Sequence, residues 1–124
     1  MSDEFSLTRR LESFRFASRG VLYVLRTQHN AWIHAGVTVA VVAVSFCMPL
    51  SVIEWCVLVL AITVVWIAEA FNTALESLSD AVSPERHPLV GRAKDAAAGA
   101  VLLASVGAAT IGVLVLGPHL WEKL

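Results

Sequence analysis

The chain has 124 residues, of which 57% are hydrophobic and only 15% charged, and its mean hydropathy is +0.73. Soluble domains carry charge on about a quarter of their residues, so an ordinary soluble globule is excluded. A formal net charge of -1 gives no general basis for nucleic-acid binding. One domain spanning 1–124 is expected at this length. Cys47 and Cys56 fall in or beside apolar segments, with no CxxC and no Cys/His ligand spacing, and read as small hydrophobes.

The first thirty residues hold Arg9, Arg10, Arg15, Arg19 and Arg26 and no unbroken apolar run, which does not fit a cleavable signal peptide. Residues 5–27 instead predict an amphipathic helix. Phe5, Leu7, Leu11, Phe14, Val21, Leu22 and Leu25 alternate with the arginines, a pattern suited to the membrane interface. Residues 31–49 are apolar without charge and long enough for a first span. Pro49 and Ser51 mark a turn, and 52–80 predict a second, longer helix. That helix is apolar from Val57 to Ala68 and then carries Glu69, Asn72, Glu76 and Asp80. At about 1.5 Å per residue it outruns a ~30 Å hydrocarbon core, so its polar end should emerge. Residues 81–94 read as a polar loop, and 95–117 as a third span with Ala100, Ala104, Ala108 and Gly112 at every fourth position. Such a stripe of small residues permits close helix approach. Eight of the nine Lys and Arg fall in the N-terminal segment and the 81–94 loop. The positive-inside rule therefore places the N-terminus in the cytoplasm.

Glu69, Asn72, Glu76 and Asp80 recur at helical spacing, within roughly an 80° arc of one face. Carboxylates so arranged in a membrane protein require water, a cation or basic partners. Arg92 and Lys94, beside Gly91 and Asp95, supply positive charge at the same level. Carboxylates on one helix and cations beside the next suit a magnesium–polyphosphate site. Taken singly, Glu76 and Asp80 also fit a solvated helix end. Glu69 follows twelve apolar residues and lies near the hydrocarbon boundary, where an ionisable group is a functional candidate. A base at that depth is placed to take a proton from a lipid hydroxyl. There is no GxxxxGK[ST] loop and no HRD or DFG element. His29, His34, His87 and His119 share no ligand spacing and read as interfacial.

The run from Glu69 through Asn72 and Glu76 to Asp80 continues into Ser83-Pro84-Glu85-Arg86-His87-Pro88-Leu89. Gly91-Arg92-Ala93-Lys94-Asp95 and Gly99-Ala-Val follow. Together these segments resemble the prokaryotic diacylglycerol kinase family, which also contains undecaprenol kinases. The resemblance extends from about Phe14 to Gly117 and implies an all-α integral membrane protein, a surface helix plus three transmembrane helices, assembled as a homotrimer with sites between subunits. It implies an ATP- and Mg2+-dependent kinase acting on a membrane lipid hydroxyl. Carried over, Glu69 looks like the catalytic base and Asn72 a positioning residue beside it. Glu76 looks like the Mg2+ ligand. Asp80, Glu85, His87, Lys94 and Asp95 look like the nucleotide-contacting set, joined by Arg9 and Phe16 from the surface helix. Ala98 and Gly99 line the lipid side. Gln28 stands where the family often has a metal-binding Glu; its amide oxygen can coordinate Mg2+ without contributing charge. His34 replaces an acidic residue of some diacylglycerol kinases. Ser83-Pro84-Glu85 with His87-Pro88, Asn30 to His34 and Ile53-Glu54-Trp55 look closer to the undecaprenol-kinase branch. Two other readings fit part of the pattern: a small cation-conducting oligomer, and a catalytically impaired assembly subunit, which the Gln28 replacement keeps open.

Overall fold

A computed structural model describes residues 6–85 and 87–124. Phe5 and Arg86 lie outside the described residues. Four helices follow one another: α1 (Leu7–Thr27), α2 (His29–Phe46), α3 (Val52–Val82) and α4 (Pro88–Trp121). The last three are each long and apolar enough to cross a membrane.

Local chemistry explains most of the boundaries. Gln28 is extended, at φ -105 and ψ 119, and separates α1 from α2. The chain leaves α2 at Cys47, ahead of Pro49. Ser51 and Glu54 then form a capping box at the start of α3. The Ser51 hydroxyl accepts from the Glu54 N–H at 3.2 Å, and Glu54 Oε2 accepts from the Ser51 N–H at 2.7 Å. These bonds satisfy two N–H groups that a helix start leaves free. α3 stops at Ser83, before Pro84; a residue preceding proline is pushed away from helical backbone.

The last helix starts at Pro88, not at Asp95, and the 81–94 loop shrinks accordingly. Proline suits a first helical turn, where its missing N–H costs nothing. His87 caps that turn, its Nδ1 accepting from the Leu89 N–H at 3.2 Å. Gly91 is thus a helical residue, and it lowers helix stability by only about 1 kcal/mol relative to alanine. Arg92 and Lys94 therefore sit on the side of a helix rather than at its N-terminus.

The longest packed pair is α3 with α4; α2 and α1 lean on α3. A small apolar core of Met48, Leu58 and Leu116 joins the helices near the α2–α3 turn. Two antiparallel registers follow from polar pairs. His119 Nε2 meets Glu54 Oε1 at 2.8 Å at one end of α3 and α4, and Lys94 Nζ meets Asp80 Oδ1 at 3.0 Å at the other. Trp66 Nε1 donates to Thr38 Oγ1 at 3.1 Å, which aligns α3 with α2. The splayed α2 and α4 leave a groove of about 590 Å³ along α3. Ala108 and Gly112 line that groove, and a Cβ added at Gly112 would meet no atom within 4 Å. That end of the small-residue stripe therefore faces open space within one chain. Most large apolar side chains are likewise exposed, among them Val37, Val39, Leu102, Leu103, Val113 and Leu114. Lipid or further protein must cover them.

Candidate active site

The polar stripe of α3 forms as its spacing predicts, and burial falls steadily along it. Glu69 is 0% exposed and Asn72 6% exposed. Glu76 is half-buried, while the Asp80 side chain is 74% exposed. The four residues span about 16 Å of helix at 1.5 Å per residue. One end is sealed among packed helices and the other meets solvent.

The buried end is short of partners. Among the described residues neither Glu69 carboxylate oxygen makes a hydrogen bond, and Asn72 Oδ1 makes none. Asn72 Nδ2 donates to Glu76 Oε1 at 3.4 Å, a long bond that links two members of the stripe. Thr73, also buried, returns its hydroxyl to the Glu69 carbonyl at 2.9 Å and holds the helix there. A buried polar atom without a partner costs about 1–3 kcal/mol. Three such oxygens lie within one turn of each other on Glu69 and Asn72.

Lys94 reaches the exposed end from α4 and pairs with Asp80. Asp95 and Ala98 are exposed, and Gly99 is half-buried, further along α4. A Cβ at Gly99 would also meet nothing within 4 Å. Glu85 is exposed in the short connection, its carbonyl accepting from the Ser83 hydroxyl at 2.7 Å. α1 approaches the same end of α3, with Val24 buried and Tyr23 Oη 3.4 Å from Ser77 Oγ. The Gln28 backbone N–H donates to Val24 O at 3.1 Å. Arg9 and Phe16 lie further out on α1, both exposed. Arg9 is roughly 20 Å along the helix from Val24. The Arg15 and Arg19 guanidinium carbons each stand 5.9 Å from the centre of the Phe16 ring. One chain therefore gathers Glu69, Asn72, Glu76, Asp80 and Lys94 along α3 and the start of α4.

Residues 15–116 match the sequence profile of the prokaryotic diacylglycerol kinases. The chain belongs to that family. The kinase is 40% identical over 114 residues to a Bacillus subtilis protein named undecaprenol kinase, covering 92% of this chain and 93% of that one. It is 45% identical over 111 residues to a Synechocystis diacylglycerol kinase, covering 89% of this chain and 63% of the other. Identity to the Escherichia coli K12 diacylglycerol kinase is 33% over 96 residues, covering 72% and 79%. By family the chain is a lipid kinase.

Two residues at the buried end escaped the sequence reading. His34, read there as interfacial, brings Nε2 to 3.5 Å from Glu69 Oε2. Ser105 of α4 has a buried hydroxyl without a partner, and the α3–α4 register places it level with Glu69. The signal for His34 lay in register: on antiparallel helices it falls within a turn or two of Glu69. Ser105 is one of several small residues in its span, and nothing in the sequence sets it apart.

Proposed function

We propose that this kinase transfers the γ-phosphate of ATP, in the presence of Mg2+, to the hydroxyl of undecaprenol or diacylglycerol at the cytoplasmic face of the inner membrane. The observation that carries this reading is the fully buried Glu69 carboxylate, which accepts no hydrogen bond among the described residues, at the sealed end of a stripe that reaches solvent beside Lys94. A membrane lipid presents its hydroxyl near the hydrocarbon boundary and ATP arrives from water, so one site must span both depths.

Glu69 accepts the proton of the lipid hydroxyl as the hydroxyl oxygen attacks the γ-phosphorus and the bond to the β–γ bridging oxygen breaks, releasing ADP. Asn72, bonded to Glu76, positions the stripe beside it. Lys94 leaves Asp80 and offsets charge on the phosphate oxygens, the electrostatic term that dominates phosphoryl transfer. The half-buried Glu76 offers carboxylate oxygens, the donor type that suits a hard cation. Glu76 would hold Mg2+, with Gln28 contributing an amide oxygen. Bound there, the ion neutralises and orients the polyphosphate. Glu85, His87 and Asp95 stand at the water-facing end for nucleotide contact, and Ala98 and Gly99 on the lipid side.

Several features support the wider reading. Exposed Leu7, Leu11 and Phe14 beside the arginines of α1 suit a helix lying on the membrane. The Lys and Arg distribution supports a cytoplasmic N-terminus. A homotrimer, as the family resemblance implies, would cover exposed apolar faces and could bring Arg9 and Phe16 of one copy to the stripe of another. Undecaprenol is weighed slightly ahead of diacylglycerol, since the similarity to the Bacillus protein runs through 93% of its length. A cation pathway would need charge at several depths, whereas the acidic stripe ends at one side of the bundle.

The test is Glu69→Gln in purified protein. Loss of lipid phosphorylation with retained fold and Mg-ATP binding is the expected result. Near-wild-type phosphorylation would remove Glu69 from the base role.

A further inference from the structure

We propose that His34 is a positioning residue that orients the Glu69 carboxylate, leaving its second oxygen free for the acceptor hydroxyl. The inference rests on the kinase reading above. Three observations carry it. His34 Nε2 lies 3.5 Å from Glu69 Oε2, with the two side chains only 16% and 1% exposed. That nitrogen and both Glu69 oxygens are buried and make no hydrogen bond among the described residues. Among the described residues His34 is also the one ionisable side chain lining the groove between α2 and α4, and it contacts Glu69 of the acidic stripe.

The contact is close enough for an ion pair, but its geometry is not that of a formed hydrogen bond. Catalytic hydrogen bonds are often loose before substrate binds and tighten afterwards. A protonated Nε2 donates to Oε2 after a small rotation of either side chain. Oε1 then remains the acceptor for the substrate proton. The ring is held from behind by Trp66, with centroids 6.3 Å apart in an edge-on arrangement. Trp66 is itself bonded to Thr38, one turn along α2 from His34. The imidazole thus has a fixed backing on the helix that carries Glu69. A histidine with a merely structural role would be expected to have its buried nitrogen satisfied.

The experiment compares His34→Leu with His34→Gln in purified protein, assayed with ATP, Mg2+ and the better of the two lipids. His34→Leu should lower kcat about ten- to a hundredfold, the scale of losing a group that orients another, with KM for ATP unchanged. His34→Gln keeps an N–H donor and should recover most of that loss. In a Glu69→Gln background His34→Leu should have no further effect. A second readout needs no turnover. The infrared carboxylate band assigned by the difference between wild type and Glu69→Gln should shift in His34→Leu. Unchanged kcat in an active enzyme, equal losses in both backgrounds, or an unshifted band would overturn the positioning role. An inactive wild type would overturn the kinase reading instead, and the infrared band would still decide whether His34 orients the carboxylate.

Discussion

Replacing Glu69 by leucine should stabilise the protein while abolishing its activity. An unpartnered buried polar atom costs about 1–3 kcal/mol. Glu69 carries two such oxygens, and the 3.5 Å approach of His34 offsets only part of that cost. Leucine is similar in volume, brings no polar atom, and extends the apolar surface that Val65 and Ala61 present one and two turns away. Replacing buried charge with apolar groups of similar shape is often stabilising. We therefore expect Glu69→Leu to gain about 1–3 kcal/mol, and Glu69→Gln, which retains polar atoms, to stay within about 1 kcal/mol of wild type. Lipid phosphorylation should fall by at least about a hundredfold in both, the lower range for loss of a general base. Unfolding in mixed micelles at rising SDS fraction, followed by circular dichroism, gives the stability; phosphorylation is measured on the same preparations. A Glu69→Leu protein less stable than wild type by more than about 1 kcal/mol would show that the carboxylate holds the fold together. The argument from its missing partners would then fail.

Three further outcomes follow from the same geometry. Lys94→Met breaks a largely exposed pair with Asp80; unfolding should shift by less than about 1 kcal/mol, whereas kcat/KM for ATP should fall at least about a hundredfold. Ser51→Ala removes the cap at the far end of α3 and should cost about 0.5–2 kcal/mol of stability with kcat unchanged, as read by parallel unfolding and turnover measurements. Gln28→Glu adds a charge at the second proposed metal ligand and should lower the Mg2+ concentration for half-maximal activity, while chelation of Mg2+ should stop turnover in both proteins.

Helix number and the stripe were legible because both depend on periodicity. Apolar runs of sufficient length stand out, and Glu69, Asn72, Glu76 and Asp80 fall on one face of any regular helix. The start of α4 was not, because Pro88 and Gly91 read as loop residues. Proline in a first turn is favourable, and one helical glycine is a small cost that the alanine-rich sequence after it absorbs. Partners on other helices were the least legible. His34 is thirty-five positions from Glu69, and only the antiparallel packing of α2 on α3 brings the two together. The capping box at Ser51 and Glu54 has the standard spacing in the sequence, two residues after Pro49.

The most direct measurement is phosphate transfer itself. Purified protein in micelles is given γ-labelled ATP and Mg2+ with undecaprenol or diacylglycerol, and the label is followed. It should appear on the hydroxyl of at least one lipid, depend on Mg2+, and never reside on the protein. Label on neither lipid from folded protein that binds Mg-ATP would contradict the account.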